Sequence, residues 1–358
     1  MPEIEIIFAP QQEPIGSFRL LELSSDLCKQ IESSNISDLN FAIKGGPDED
    51  AVLCTSERTY NIRSVALSNS VLVMSPSPNP NRSKDQVVIQ DSLNELLELV
   101  PTIPKLHRFK ALLKEYIWEE GQEEEDDNLG VTTQKGVTLD QARAEFQASE
   151  QELVQALKEK HVLIIDDILR PLSPSYLHKI LELLLMHLVS LSQTHDAASV
   201  NREVTLQVMR WFGEVDAANE SWKVDVERTV RQVGLGVLRQ HRKEPIAEEE
   251  FMAKWNTAVG DTFASSTSLR LLTGNYICSP SPFSSSTLLS YLPCAELPTD
   301  PATRFADLFF IRARWKAEDI VPYLSDVAVD TKDLDKLMLK YARPLTDKDG
   351  LWYTTRAR

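Results

Sequence analysis

The chain has few of the features that a metal site, a membrane span or a secretory leader requires. It has 4 cysteines in 358 residues, with no CxxC spacing and no paired histidines beside them, which argues against zinc and for reduced thiols. The most apolar run, residues 180–189, is too short to span a bilayer and contains Glu182 and His187. Glu3 and Glu5 stand where a signal peptide needs basic residues. These absences predict a soluble, intracellular protein.

Catalytic motifs are also lacking. There is no Walker A sequence, and the Gly-Leu-Gly at 234–236 lacks a third glycine and does not follow a strand. His178, His187 and His195 share one segment but miss the i+3 or i+4 spacing of metal ligands on a helix. No pair of carboxylates stands apart from the general acidity. We therefore expect no enzymatic activity, no cofactor and no metal.

The chain also lacks the basic balance of a freely acting nucleic-acid binder, since its net charge is −16 at pH 7. The acidic residues are concentrated in the N-terminal part of the chain. Residues 1–128 carry 11 basic and 23 acidic side chains, whereas residues 303–358 carry 11 basic and 9 acidic ones. Residues 119–127 hold seven carboxylates in nine positions and are interpreted as a solvated linker. Nucleic-acid binding is thus excluded for the N-terminal part and left open for the C-terminal part.

The first 104 residues are predicted to be rich in β-strands. Short apolar and β-branched runs alternate with turn residues, a pattern typical of a small barrel or an open sheet. A sheet this small with uncovered edges needs a partner or a further strand. Strands are predicted at 18–23, 39–44, 87–90 and, as two or three short ones, within 51–74, with a short helix capped by residues 24–26. Helices are predicted at Leu93–Val100 and Leu106–Trp118.

From residue 130 onward the sequence predicts helical modules with a recurring order. In the first, Thr138 and Ser149 cap successive helices, and two strands follow around a turn at Asp166 and Asp167. Helix, helix, strand, turn, strand is the winged-helix order, and related patterns recur around 248–278 and 304–353. The predicted fold class is therefore an α+β multidomain protein, with an N-terminal β-rich partial barrel completed by partner subunits and then three tandem winged-helix domains. The predicted domains are 1–128, 129–196, 197–285 and 286–358.

Basic residues near the C-terminus form a candidate DNA-binding surface. Lys332, Lys336 and Lys340 recur every four residues, opposite the apolar face of a helix placed like a winged-helix recognition helix. Contacts to DNA phosphates would give affinity without sequence readout. Alternatively, the lysines are simply solvated. Arg312, Arg314 and Trp315 could stack on or clamp a partner, or Trp315 is core and the arginines beside it are solvated. The predicted DNA-binding residues are Lys332, Lys336, Lys340, Arg343, Lys348, Arg312, Arg314, Trp352 and Arg356.

One N-terminal stretch carries a family resemblance. The string Leu53-Cys54-Thr55, followed by Thr59-Tyr60-x-Ile62-Arg63-x-Val65 and Ser68-Asn69-Ser70, resembles the signature of the Dcc family of sister-chromatid cohesion proteins. The likeness continues through 304–315 and 318–323. Between residues 105 and 300 it is one of architecture more than of motif.

Proteins of that family are subunits of the cohesion-specific alternative replication factor C clamp loader. The resemblance implies a nuclear, non-catalytic adaptor whose N-terminal part forms a composite barrel with two other subunits, a large alternative subunit and a small barrel subunit. It also implies that the winged helices dock the catalytic part of polymerase epsilon, through residues 138–195, and contact single- and double-stranded DNA, so that the sliding clamp is reached indirectly. Partner-binding residues implied are Val52, Leu53, Thr59, Tyr60, Ile62, Arg63, Val71 and Val73.

Two other classes remain open on the sequence. A tandem winged-helix transcription or scaffold subunit would share the modules but would not need the N-terminal sheet to bind clamp-loader subunits. An enzyme would have to turn over ATP or another substrate, which we do not expect.

Overall fold

The computed structural model describes residues 5–8, 18–33, 40–76, 86–120, 136–189, 202–216, 221–281, 286–348 and 350–356. These residues form helices and several separate sheets, which confirms the α+β class. The chain divides into two compact units. Unit one is Met1–Leu106 with Arg143–Leu153, and unit two is His107–Ala142 with Val154–Arg358. The domain boundaries at 128, 196 and 285 stay predictions.

Unit one is built on one open sheet. Its strand order is β1-β6-β5-β4-β3, with β2 also paired to β6, and among the described residues the sheet does not close into a barrel. Strands β1 and β2 run parallel to β6, and the other pairs are antiparallel. The elements are β1 (Glu5–Phe8), β2 (Leu20–Glu22), α1 (Ser25–Ser33), β3 (Ala42–Lys44), β4 (Val52–Cys54), β5 (Thr59–Pro76) and β6 (Gln86–Pro101).

The predicted helix at Leu93–Val100 is wrong, because this stretch belongs to β6. Its leucines and glutamates favour a helix locally, but β5 pairs with it along nearly its whole length, and that ladder overrides the local preference. The two apolar runs predicted as separate strands within 59–74 are likewise one strand of 18 residues, β5. The ladder is irregular between Ala66 and Val71, where residues 68–70 of the signature lie.

Unit two contains most of the helices, and α3 and α4 each contain residues of both units. The elements are α2 (His107–Leu113), α3 (Leu139–Glu145), α4 (Glu150–Glu159), β7 (Val162–Ile165), β8 (Ile168–Pro171), α5 (Pro174–Val189), α6 (Arg202–Trp211), β9 (Gly213–Asp216), β10 (Ser221–Val224), α7 (Val226–Gln240), β11 (Ile246–Ala247), α8 (Glu248–Val259), α9 (Asp261–Ala264), β12 (Tyr276–Pro280), β13 (Thr287–Tyr291), α10 (Pro301–Ile311), β14 (Arg314–Lys316), α11 (Ala317–Ile320), α12 (Thr331–Tyr341), β15 (Ala342–Asp347) and β16 (Gly350–Thr355).

Local sequence signals set several of these elements as predicted. Helix α8 has the predicted bounds and buries Phe251, Trp255 and Val259. Asp166 and Asp167 both adopt positive φ, 50° and 61°, which matches the twist of the β7–β8 hairpin. The hairpin β9–β10 and the strand β13 were not predicted, and β13 lies beyond residue 285 yet pairs with β12.

One order of elements occurs twice in the C-terminal half. It is helix, strand, helix, helix, strand, strand, seen from α7 to β13 and from α10 to β16. In each case the last strand lies in the middle of a three-stranded sheet, in the orders β11-β13-β12 and β14-β16-β15. The two halves contribute to different cores. Trp255 lies in a core that also includes residues 118–212, and Trp315 lies in a separate one.

The Gly-Leu-Gly at 234–236 lies within α7, as expected for a helical segment. A Cβ on Gly234 would lie 2.5 Å from Cε2 of Trp255, and one on Gly236 would lie 2.3 Å from Nδ1 of His178. These glycines therefore permit close packing of α7 against its neighbours.

Candidate partner-docking and nucleic-acid surfaces

Four of the eight predicted partner-binding residues, all of which belong to unit one, have buried side chains. Val52, Leu53, Thr59 and Tyr60 are buried, and β4 lies between β3 and β5 in the sheet. Leu53 and Tyr60 belong to the small core of this unit, and burial raises the pKa of the Tyr60 phenol. Their side chains thus stabilise the unit and do not face solvent.

Thr59 joins the sheet to the segment 143–153. Its Oγ1 donates a hydrogen bond to Oε2 of Glu152 at 2.5 Å and accepts one from the Ser149 backbone N–H at 2.9 Å. Ser149 and Glu152 also form the predicted capping box of α4, with distances of 3.0 Å and 3.2 Å. The Cys54 thiol lies 3.8 Å from the Thr59 hydroxyl, and burial raises its pKa. A signature residue therefore completes a helix cap more than 90 positions away, which the sequence did not reveal.

Two further hydrogen bonds hold the same segment on the sheet. Lys44 Nζ donates to the carbonyl of Ala148 at 2.8 Å, and Gln147 Nε2 donates to the carbonyl of Asp50 at 2.9 Å. Both acceptors are backbone carbonyls. These bonds therefore depend on the path of the backbone and not on which side chain the accepting residue carries.

The other four predicted partner-binding residues lie toward the surface. Arg63 is exposed and pairs with Glu98 at 2.6 Å, Val71 is exposed, and Ile62 and Val73 are half-buried. Large apolar side chains are exposed along the same unit, and some of them lie on the edge strands β1, β2 and β3 of the sheet. They are Ile6, Phe8, Phe18, Leu21, Leu23, Phe41, Ile43, Leu72, Met74 and Val100.

The two sheet edges are the most apolar part of this surface. Phe8 on β1 is 77% exposed, and Ile43 on β3 is 71% exposed. Within the described residues β1 pairs only with β6, and β3 pairs only with β4. Open strand edges that carry exposed apolar side chains are suited to pairing with strands of another chain.

One face of the C-terminal sheet collects several predicted DNA-binding residues. Lys316 is directly opposite Trp352, and Arg314 and Arg343 are both opposite Thr354, so all project from the same face. The guanidinium carbon of Arg314 lies 4.2 Å from the centre of the Trp352 ring, and Nζ of Lys316 lies 5.6 Å from it. Trp352 is therefore flanked by two cations, with the Arg314 guanidinium over its ring, so an aromatic side chain and positive charge lie together on one face of the sheet.

Asp347 fixes this cluster in place. It accepts a hydrogen bond from Nε1 of Trp352 at 3.0 Å and forms an ion pair with Arg314. Lys316 was not among the predicted residues, although its spacing of two residues from Arg314 indicates that both share one face of a strand.

Arg312 and Trp315 do not form an outward clamp. Trp315 is fully buried and its Nε1 donates to the carbonyl of Leu308 at 2.9 Å, so it is a core residue. The Arg312 guanidinium carbon lies 5.0 Å from the centre of the Trp315 ring, and the same side chain pairs with Asp319 at 3.4 Å and donates to the carbonyl of Cys278. Its observed contacts are therefore within the chain.

The lysine stripe is a separate feature on α12. Lys332, Lys336 and Lys340 are all exposed. Nζ of Lys340 lies 4.9 Å from the centre of the Tyr341 ring, and a hydrogen bond to Tyr341 raises the pKa of this lysine. Lys348 is exposed at the β15–β16 turn, whereas Arg356 donates to the carbonyl of Leu339 near the end of α12.

Other kinds of site find no support in the described part of the chain. No cluster of three or more histidine, cysteine, aspartate or glutamate side chains is placed there to hold a metal ion. None of its helices has both the length and the apolar character needed to cross a membrane. All four cysteines are free thiols.

Comparison with known proteins confirms the resemblance. A family model described as sister chromatid cohesion protein Dcc1 matches residues 18–324. The sister chromatid cohesion protein DCC1 of Homo sapiens is 28% identical over 364 residues, covering 95% of this chain and 89% of the relative. A probable one from Dictyostelium discoideum is 25% identical over 378 residues, covering 97% and 96%, and that of Saccharomyces cerevisiae is 23% identical over 374 residues, covering 95% and 96%. These relatives are named as cohesion proteins and not as enzymes. The chain belongs to the Dcc1 family of sister chromatid cohesion proteins.

Proposed function

We propose that this chain is a nuclear, non-catalytic adaptor subunit of an alternative clamp loader that loads or unloads the sliding clamp. In this proposal it links the loader to the catalytic part of polymerase epsilon and to DNA. The observation that carries the proposal is the N-terminal sheet, which does not close among the described residues and whose edge strands β1 and β3 expose Phe8 and Ile43. Membership in a family of sister chromatid cohesion proteins supports it.

The sheet would be the part of a barrel that two partner subunits complete. One buried apolar cluster of the unit comprises Leu27, Leu53, Tyr60 and Leu99, while many apolar side chains of the unit stay exposed. Strands of the large alternative subunit and the small barrel subunit would pair with the open edges and cover these side chains. Burial of apolar surface contributes about 25 cal/mol per Å², so covering them would stabilise the complex substantially.

Co-expression of the full chain with the two clamp-loader subunits tests this docking. We expect a three-chain complex of equal stoichiometry in size-exclusion chromatography. Phe8→Glu and Ile43→Glu should each weaken it, because a carboxylate cannot be buried against apolar strands without a partner. Phe310→Glu is the matched control, since Phe310 is 92% exposed and lies in unit two. Elution of the wild-type chain as a monomer would contradict the proposal and favour a winged-helix transcription or scaffold subunit.

The repeated order of elements supports the proposal of winged-helix modules. The segments from α7 to β13 and from α10 to β16 share one order of elements: helix, strand, helix, helix, strand, strand. In both, the last strand lies in the middle of the sheet. In the first module, α3, α4 and the β7–β8 hairpin follow in the predicted order. Polymerase epsilon would dock on residues 138–195 of that module.

DNA would bind at the C-terminal module without sequence readout, through the Trp352 face and the lysine stripe. Stacking of one base on an aromatic ring is worth roughly 1–3 kcal/mol. We therefore expect Trp352→Ala to weaken binding of single-stranded DNA by about tenfold or more. Replacing Lys332, Lys336 and Lys340 with glutamate should instead flatten the salt dependence of DNA binding. If fluorescence anisotropy showed neither effect in folded variants, the DNA part of the proposal would be wrong.

A further inference from the structure

A cleft in unit two is lined by both apolar and cationic side chains. Its volume is about 660 Å³, and it lies between α7 and the residues around α2, the α4–β7 turn and the start of α5. Phe109, Leu113 and Ile117 line one side, together with Leu235 of α7. Ile117 is 37% exposed, so an apolar side chain remains accessible inside the cleft.

Two of the cations lie on α7. Arg231 and Arg239 are roughly 12 Å apart along its axis at 1.5 Å per residue, and Arg242 lies two residues beyond its end. Lys114 and Lys160 add two further cations. Among the described residues, the acidic ones that line the cleft are Glu159 and Glu296, so this lining has an excess of positive charge on a chain whose net charge is −16.

Several of the lining polar groups still have bonding capacity. Arg242 pairs with Glu296 at 2.7 Å, but Arg231 uses only its Nε, which donates to the carbonyl of Leu271 at 2.9 Å. Within the described part of the chain, the side chain of Arg239 has no hydrogen bond or ion pair. Gln232 is only 8% exposed, and its side-chain amide has no hydrogen bond to any described residue. Polar groups in such positions gain most from a ligand, because leaving them unpaired costs free energy.

His161 lines the cleft close to several of its arginines. Its ring stacks on Phe212 with centres 5.5 Å apart. Burial, together with Arg228, Arg239 and Arg231, lowers the pKa of His161 to about 3. The imidazole is therefore neutral at physiological pH and can accept or donate a hydrogen bond without adding charge.

We propose that this cleft binds an extended acidic peptide segment of a protein partner. Its carboxylates would pair with Arg239, Arg231 and Lys114, and an aromatic or leucine side chain would lie against Ile117 and the apolar wall. Guanidinium groups pair with carboxylates in a fork of two hydrogen bonds, which favours this ligand over a neutral peptide. At about 3.3 Å per extended residue, the roughly 12 Å between Arg231 and Arg239 matches about four residues.

A peptide fits this cleft better than a nucleic-acid strand does. A strand would bring a phosphate charge at every nucleotide past Glu159 and Glu296, whereas a peptide can place neutral residues beside them. An apolar wall inside a cleft also contributes little to binding of a phosphate backbone, which is recognised mainly by its charge. This inference does not depend on the clamp-loader proposal.

The test starts with a random twelve-residue peptide library displayed on phage and panned on the full chain. We expect enrichment of sequences with several aspartates or glutamates and at least one aromatic residue or leucine. A fluorescent synthetic peptide of the consensus sequence then reports affinity by anisotropy. Arg239→Glu should weaken binding about tenfold or more, and Ile117→Ser by several-fold. Arg270→Glu is the matched control, because Arg270 is exposed and does not line the cleft.

Thermal unfolding of each variant shows whether it is folded, and Arg239→Gln replaces Arg239→Glu if the latter is not. The proposal is overturned if no acidic sequence is enriched or if the Arg239 and Arg270 variants bind the consensus peptide equally well. It is also overturned if the Arg239 variant loses affinity for a DNA duplex of about 20 base pairs while the library yields no peptide. That last result would assign the cleft to nucleic acid.

Discussion

Replacing Thr59 with valine should release the segment 143–153 from the N-terminal sheet. Valine has nearly the same shape as threonine, so the change removes the hydroxyl without opening a cavity. Thr59 is 1% exposed, and its hydroxyl both donates to Glu152 and accepts from the Ser149 N–H. The substitution therefore tests hydrogen bonding and not packing.

The expected cost follows from the two lost bonds. A hydrogen bond to a charged group contributes about 1.5–3 kcal/mol, and one between neutral groups about 1 kcal/mol. The Ser149 N–H keeps a second acceptor, Oε2 of Glu152 at 3.0 Å, so it is not left unpaired. We therefore expect Thr59→Val to cost about 2 kcal/mol, which is close to a 30-fold change in the equilibrium between docked and undocked segment.

Hydrogen exchange of the full-length chain measures this directly. The amides of Ser149 and Gln151 should exchange about 30-fold faster in Thr59→Val than in the wild type, because both donate to acceptors of unit one. Thr55→Val is the matched control. Thr55 is also buried, but its hydroxyl bonds only within its own turn, with Glu57 and Arg58, so exchange at Ser149 should not change.

A double-mutant cycle with Glu152→Gln tests whether the two residues act together. We expect a coupling energy of about 1 kcal/mol or more between the two substitutions. If their effects simply added, or if exchange at Ser149 were the same in Thr59→Val as in the wild type, the docking role of Thr59 would be refuted.

Three further predictions concern unit two. Gly234→Ala should lower the free energy of unfolding by about 1–3 kcal/mol in urea titrations, because its Cβ would lie 2.5 Å from the Trp255 ring, although alanine is the better helix former; a stabilised variant would contradict this. His161→Asn should remove part of the acid sensitivity of the fold. The pKa of His161 is about 3 in the folded chain, and its ordinary value is 6.5. As the pH falls below 6.5, the unfolded chain therefore takes up a proton on this side chain before the folded chain does. The contribution of neutral His161 to the free energy of unfolding is present in full above pH 6.5 and is lost as the pH falls toward 3. Between pH 7 and pH 5 the wild type should lose about 2 kcal/mol more than the variant, whose asparagine tolerates the φ of 52°; equal losses would exclude His161 as the cause. Arg304→Lys should lower the free energy of unfolding by about 3 kcal/mol. Arg304 is buried, and its guanidinium group donates hydrogen bonds to Asp326 and to backbone carbonyls of neighbouring loops, which a lysine cannot all replace. Unfolding of the variant at the same urea concentration as the wild type would disprove this.

The elements that could be predicted are those whose signals are local. The bounds of α8 and α12 follow from apolar spacing, and the capping boxes at Thr138 and Ser149 mark where α3 and α4 begin. Strand β6 could not be predicted over Leu93–Val100, because its leucines and glutamates favour a helix until β5 supplies the paired backbone. Strand β13 was missed for a similar reason, since its partners β11 and β12 are what make it a strand.

The candidate sites show the same division. The sequence predicted Arg314 and Trp352 as DNA-binding residues, but only the pairing of β14 with β16 brings them to 4.2 Å of each other and adds Lys316. The cleft beside α7 was not predicted at all, because its lining residues come from segments between Phe109 and Glu296.

The sequence by itself determined the family, the acidic balance, the absence of a nucleotide motif, and most helices and turns, because these depend on residue identity or on neighbours within a few positions. Only the tertiary structure decided that the signature residues Thr59 and Tyr60 are buried, that the edge strands exposing Phe8 and Ile43 pair with no further strand of the described residues, and which cations share a surface. These properties depend on contacts between residues far apart in the chain, and such contacts form only once the backbone is paired and packed.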